Sequence, residues 1–321
     1  MKKILLIVTS VVLFSGIISC EKDGVYTPKK KICKIYCSYD EVFYDTDTTV
    51  ATYSSSRFLS EQWEWKGRKL ASRTFFYSDG SVAGKYSYTY DGKRLSRIDY
   101  ISKGESGTYT TYTIFTYDGN ELVQADWYFD GHYGSVARFS HTDGKITAVD
   151  IFYVYKSNSM GISNDVMLNM LMPPDIQMSY AYRRICAKEG ENPNNYRIEI
   201  SWRENNIHKM CFINNDGVET CEFSYDDKNN PFYGMGVMWI DISAGTYNMV
   251  EQPVCSGGYD RNNIVSATIT NTLDGRVNAS YTYTYKDDYP AICMVKNYYC
   301  GSSDVFAPTE LTCYYEYEYL K

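Results

Sequence analysis

Apolar and polar positions alternate along most of this chain. Tyr86-Ser87-Tyr88-Thr89-Tyr90 sets three rings on one side of an extended segment and hydroxyls on the other. Tyr281 to Tyr285 repeats the arrangement, and Tyr315 to Tyr319 closes the chain with Tyr and Glu in alternation. Val123, Ala125, Trp127 and Phe129 form a further apolar stripe against Leu122, Gln124, Asp126 and Tyr128. A period of two, rich in aromatic and β-branched residues, predicts strands. Ile146 to Tyr155 is apolar on both sides, which predicts a strand covered on both faces.

Seven Asp-Gly steps punctuate these segments, beginning at Asp79, Asp91, Asp118, Asp130, Asp143, Asp216 and Asp274. Glycine accepts positive φ and aspartate bonds its own backbone, so each step predicts a tight turn. The first five are spaced by 12, 27, 12 and 13 residues. Twelve residues is one strand plus its turn, and the longer gap holds two such units around Lys103-Gly104-Glu105-Ser106-Gly107. The prediction is an all-β fold, a large antiparallel meander of repeated hairpins in one domain over residues 32–321. So many strands in one sheet curl or split, giving an open barrel-like sheet or a sandwich.

The alternation stops at about 157–195. Val166, Met167, Met170 and Leu171 have helical spacing there, with Ser163 and Asn164 as N-caps and Pro173-Pro174 as the stop. One short helical insertion is predicted, either a plug over a sheet edge or a lid over a groove, with the plug favoured because exposed edges need cover. A second irregular stretch runs from Pro231 to Gly258.

The first residues have another texture. Lys2 and Lys3 precede an apolar run from Ile4 to Ile18, too short for a comfortable membrane span, which ends in Ile17-Ile18-Ser19-Cys20. This resembles a bacterial lipobox, which implies a signal peptide over residues 1–19 and lipid modification of Cys20. Several acyl chains, at about 0.8 kcal/mol per buried methylene, would make the anchor effectively permanent. Glu21-Lys22-Asp23-Gly24 follows, and residues 20–31, with Pro28 and Lys29-Lys30-Lys31, read as a flexible tether. The acidic stretch after Cys20 is similar to the surface-export tether of Bacteroidetes-type lipoproteins.

Ten cysteines less the lipidated one leave an odd number, so at least one thiol is expected to stay free. Cys211 and Cys221 flank Asn214-Asn215-Asp216-Gly217, and a three-residue hairpin loop there would set them opposite each other as a disulfide. Cys33 and Cys37 lie about 13 Å apart on a strand, too far to bridge. No C-x-x-C pair occurs.

Composition narrows the function classes. Tyrosine supplies 34 of 321 residues, which reinforces the β reading. The net charge of −7 argues against nucleic acid, whose binding needs a basic footprint. His132, His141 and His208 sit at predicted turns without metal-ligand spacing. No zincin, nucleophile-elbow, dinucleotide or phosphate-loop pattern is present, and no cofactor or metal is predicted. Asp45-Thr46-Asp47 fails as a calcium loop, with Val50 and Ser56 at its sixth and twelfth positions. Trp63 and Trp65 share a strand face beside Glu61. Exposed, they would form a stacking platform for sugar rings; buried, they belong to an aromatic ladder in the sheet core.

Trp65-Lys66-Gly67-Arg68-Lys69-Leu70, Tyr90-Asp91-Gly92-Lys93-Arg94-Leu95 and Tyr117-Asp118-Gly119-Asn120-Glu121-Leu122 share the pattern aromatic-x-Gly-x-x-Leu at intervals of 25 and 27 residues. Tyr225 to Phe232 and Tyr283 to Pro290 extend the series. These motifs resemble the YD-type repeats of Rhs proteins. More closely, they resemble a family of Bacteroidetes-type envelope lipoproteins of unknown function, with a lipobox, Tyr-Asp hairpins, an Asn-Pro-Phe element and a Tyr-rich last strand. The resemblance covers most of residues 58–321 and implies no catalytic residues. The expectation is a lipid-anchored outer-membrane protein, surface-facing rather than periplasmic, acting as a non-enzymatic binding or scaffold module. Its partners would be the membrane and a glycan or envelope protein. A glycan-binding lipoprotein using Trp63 and Trp65 is the alternative, and a carboxylate-pair hydrolase the third reading.

Overall fold

The computed structural model describes residues 23–44, 50–104, 107–153, 195–214, 217–236, 258–271, 275–301 and 309–321. Among these the chain forms seventeen β-strands and no α-helix. They are β1 (Ile32–Tyr44), β2 (Val50–Ser54), β3 (Phe58–Lys66), β4 (Lys69–Phe76), β5 (Val82–Asp91) and β6 (Arg94–Gly104). Then come β7 (Gly107–Asp118), β8 (Glu121–Phe129), β9 (His132–Thr142), β10 (Lys145–Tyr153), β11 (Asn195–Arg203) and β12 (Asn206–Asn214). The last are β13 (Gly217–Asn229), β14 (Asn262–Asn271), β15 (Gly275–Lys286), β16 (Tyr289–Gly301) and β17 (Thr309–Tyr319). The five Asp-Gly steps from Asp79 to Asp143 fall at junctions between strands; Asp216 and Asp274 lie outside the described residues, and Gly217 and Gly275 open β13 and β15. At Asp143-Gly144 both residues have positive φ, 53° and 72°, the geometry that matches a hairpin's twist.

From β3 to β17 every strand pairs antiparallel with its sequence neighbours. The ends then meet. β1 pairs with β17 from Ile32↔Tyr319 to Phe43↔Thr309, and on its other side with β2 (Asp40↔Ser54) and β3 (Lys34↔Gln62). β2 and β3 lie end to end along β1, so seventeen strands occupy sixteen positions of a closed ring. The predicted meander is present, but the sheet is a closed barrel, neither open nor a sandwich. Closure removes the free edges that an open sheet would leave to pair with other chains. The helical insertion predicted at about 157–195 lies outside the described residues, which omit 154–194, except for Asn195, where β11 begins.

Each face of the wall follows the alternation of the sequence. On β5, Gly84, Tyr86 and Tyr88 are buried inside while Ser87 and Thr89 are exposed outside. Arg97 and Asp99, Gln124 and Asp126, Arg197 and Glu199, and Thr282 and Thr284 stand outward on their strands. Inside, Tyr86 stacks on its cross-strand partner Tyr100 at 4.4 Å, and Phe75 meets Tyr86 edge-on at 5.2 Å. Such pairs add to the burial of their area.

The aromatic-x-Gly-x-x-Leu pattern has a mechanical meaning. The Leu position is fully buried at Leu70, Leu95 and Leu122. Beside each turn the register slips by one, between Glu64 and Trp65, Thr89 and Tyr90, and Thr116 and Tyr117. Such a bulge interrupts the ladder of backbone bonds. The aromatic tip then reaches the carbonyl at the Leu position of the preceding hairpin. Trp65 Nε1–H donates to Ile32, Tyr90 O–H to Leu70, and Tyr117 O–H to Leu95, each at 2.8 Å. Trp202 to Ile146 and Tyr225 to Ile207 (both 2.6 Å), then Tyr283 to Ile264 and Tyr319 to Pro290 (both 2.8 Å), carry the device around the ring. Each repeat thus hydrogen-bonds its neighbour through a side chain as well as through the ladder.

The Cys211–Cys221 disulfide is not formed. Asn214 pairs with Gly217, so the connection is two residues long, one shorter than the bridge requires. Cys211 therefore faces Thr220, and Cys221 faces Met210 in the interior. A shift of one residue puts two side chains on opposite faces of a sheet. Neither is in a disulfide, nor are Cys33, Cys37, Cys293 and Cys313.

Candidate functional site

The turns after β3, β5, β7, β9, β11, β13 and β15 lie at one end of the ring, together with the start of β1 and the end of β17. Residues 23–31, expected as a free tether, are bound across this end. Asp23 N–H donates to the Asn120 carbonyl at 3.1 Å, and its carboxylate accepts the Leu122 N–H at 2.8 Å. His141 Nε2 lies 3.0 Å from the same oxygen, while its Nδ1 is 4.0 Å from Glu121; the His141 side chain is 4% exposed. The Gly24 carbonyl accepts the Leu95 N–H at 2.9 Å. Gly24 has φ +74°, and a Cβ there would come within 2.3 Å of the Tyr117 hydroxyl, so the approach requires glycine.

Tyr26 goes deepest. It is 3% exposed, its ring lies 5.8 Å from that of Trp65, and its hydroxyl donates to the Pro231 carbonyl at 2.8 Å. That carbonyl belongs to a second closing segment, residues 230–236 and 258–261. Asn230 organises it: Oδ1 accepts the Phe232 N–H and Nδ2 donates to the Asp260 carbonyl. Phe232 enters the barrel between Trp63 and Tyr317, each 6.0 Å away. The tether reading failed because Tyr26 and Asp23 find their partners 205 and 118 residues away. The signal was a large aromatic residue in an otherwise polar stretch.

Asp260 is buried, and its carboxylate accepts the Ile207 N–H at 2.7 Å beside the Tyr225 hydroxyl. Burial pushes its carboxyl up to about 8, against the opposing pull of these donors. Unfolded, the group ionises near 4. Between those values the folded state holds a proton that the unfolded state has released, so stability falls as pH rises from about 4 to about 8. Asp260→Asn is expected to remove that slope. Relative to the variant, the natural chain should lose on the order of 2–3 kcal/mol between about pH 6 and 8 in urea titrations.

The interior holds a second charged constellation. Glu61 Oε2 accepts from Arg73 Nη2 (2.8 Å), Arg73 Nε (3.0 Å) and Trp63 Nε1 (2.7 Å). Both partners are buried, and the Arg73 guanidinium lies over the rings of Trp63, Phe75 and Tyr86. Burial pushes the Glu61 carboxyl up, while Arg73 pulls it down. Three donors on one oxygen commit this acid to the fold.

The sequence-predicted sites fare unequally. Cys20 lies outside the described residues. Trp63, at 3% exposure, is in the core, and Trp65 is half-buried beneath Tyr26 with Lys31 over its ring, so the two form no open sugar platform. Tryptophan rings of this size pack inward because the interior face of β3 is the apolar one. No group of three or more His, Cys, Asp or Glu residues that could hold a metal occurs among the described residues. No helix of the described residues is long and apolar enough to cross a membrane.

No protein-family model matches the chain, and no curated protein matches it. Among solved structures it is similar to a porin-like protein from Bacteroides uniformis ATCC 8492, with a TM-score of 0.40 and 10% identity over 93% of this chain and 100% of that one. A porin-like protein from Bacteroides vulgatus ATCC 8482 gives a TM-score of 0.36 and 10% identity over 91% and 99%. The barrel described above stands on its own strand pairing.

Proposed function

We propose that this chain is a lipid-anchored envelope protein, held at the outer membrane by acylated Cys20. Its barrel is a non-enzymatic binding or scaffold body. The observation that carries the reading is the outer face of the wall, where Arg97, Arg138 and Arg197 stand among Asp99, Asp126 and Asp150, with Tyr112, Tyr128 and Phe152 between them, while the apolar cluster lies inside. A barrel that crosses a bilayer has the reverse, an apolar outer band about 25 Å tall. Arg97, Arg138 and Arg197 project from this wall, and a cation facing lipid at the midplane costs about 2–4 kcal/mol. A body with this surface is at home in water and needs a separate device to stay at a membrane. The lipobox provides one. With the inner face buried as an apolar cluster, the polar wall is what a partner meets.

Cys20→Ala is expected to abolish palmitate labelling and to move the protein from the membrane pellet to the soluble fraction. Labelling that persists, or a variant that still pellets after carbonate washing, would refute the reading.

A further inference from the structure

We propose that the turn end of the barrel carries a basic sector that lies on the anionic phospholipid headgroups of the membrane holding the anchor. The proposal rests on the reading of Cys20 as the lipidated residue. From Cys20 the chain reaches the barrel at Asp23, three residues on, at most about 11 Å of extended backbone. The end closed by residues 23–31 is therefore the end held against the bilayer. That distance is close to the screening length of about 8–10 Å at physiological salt, so charges on this end are within reach of the headgroups.

Basic residues concentrate in one sector of this end. Residues 23–31 bring Lys29, Lys30 and Lys31 across it. The β3–β4 turn adds Lys66 and Arg68, and the β5–β6 turn, its neighbour through the pairing of β4 with β5, adds Lys93. Lys29, Lys66, Arg68 and Lys93 are exposed and form no salt bridge among the described residues. A second set is seated on the rim. Lys31 Nζ donates to the Gly67 carbonyl at 2.6 Å, Lys69 to that of Gly92, and Arg94 to that of Gly119 at 2.7 Å. Each cation thus bridges to the next hairpin's turn, which holds positive charge at the rim. Asp91 and the Asp287 paired with Lys30 interrupt the sector. Asp118 stands in the turn that Arg94 reaches, and around the rest of this end Asp143, Glu204, Asp227 and Asp288 are exposed together with Arg203, Arg261 and Lys286. In a chain of net charge −7, a basic face of this size is a local feature. An anionic surface would turn this face toward itself and the mixed remainder of the end away.

The test uses the chain from residue 20 onward with Cys20→Ala, which contains every described residue and carries no lipid. Binding is measured by co-sedimentation with phosphatidylcholine vesicles, with and without phosphatidylglycerol. The natural surface is expected to bind the anionic vesicles and not the neutral ones, and to be released by salt. Lys66→Gln, Arg68→Gln and Lys93→Gln together should weaken binding on the order of 100-fold, the conversion of about 1 kcal/mol for each of three cations. Lys85→Gln, Lys209→Gln and Lys296→Gln on the wall should leave it within about threefold. All six are surface side chains, and an unchanged far-UV spectrum checks the fold of each variant. Equal binding to both vesicle types overturns the proposal, as does a turn variant that binds undiminished or a wall variant that loses as much. A failure here leaves the lipid anchor standing, because the assay contains no acyl chain. Failure of palmitate labelling at Cys20 would remove the premise instead.

Discussion

Arg73→Ala is expected to destabilise the barrel by about 3–5 kcal/mol, because it strands the Glu61 carboxyl in the interior without its guanidinium. Two of the three donors on Glu61 Oε2 leave with Arg73, and only the Trp63 N–H remains. The loss also uncovers the faces of Trp63, Phe75 and Tyr86 that the guanidinium covers. The cost reports an uncompensated buried acid rather than the net strength of the pair. Glu61→Leu combined with Arg73→Met should therefore regain most of it, since apolar replacements of similar volume are often neutral or stabilising. Guanidinium denaturation of the two variants decides the matter. If Arg73→Ala costs under about 1 kcal/mol, Glu61 has access to water and is not held in a buried pair.

Gly134→Ala is expected to be the most damaging single-methyl change in the wall. A Cβ at Gly134 would stand 2.2 Å from two ring carbons of Trp127, itself 4% exposed. Real atoms do not approach so closely, and a buried indole has no vacant rotamer to retreat into. Overpacking of this kind costs about 1–3 kcal/mol and occasionally more. Trp127→Leu in the same chain should relieve the clash, so the double variant is expected to be more stable than the sum of the single effects predicts. Simple additivity in thermal melts would show that the ring and the glycine do not meet.

These two sites mark the boundary of what the sequence makes legible. The alternation of Tyr86 to Tyr90 and the Asp-Gly steps place strands and turns, because both signals are local. Closure is not local. Tyr315 to Tyr319 reads as a strand, but its pairing with Ile32 to Cys37 joins opposite ends of the chain, and nothing in turn spacing encodes that register. The disulfide misreading shows the same sensitivity, since one residue of loop length separates a bridged pair from two thiols on opposite faces. At the turn end, Trp65, Tyr90 and Tyr117 are legible as a repeat, but the use of their polar tips as ties between hairpins requires the bulges that free the carbonyls. The docking of Tyr26 and the burial of Glu61 both depend on partners on other elements, which the local sequence does not encode. Trp63 and Trp65 share a face as the spacing predicts, and the face is the inner one.

The ring closes through β1 and β17, and on the proposed reading it stands in water. Amide hydrogen exchange of the unlipidated chain in detergent-free buffer tests both most directly. Amides of Ile35 and Cys37 in β1 and of Tyr315 and Tyr317 in β17 are expected to be protected as strongly as those of β5 and β6. Rapid exchange confined to β1 and β17, or protection that arises only when detergent is added, would contradict this.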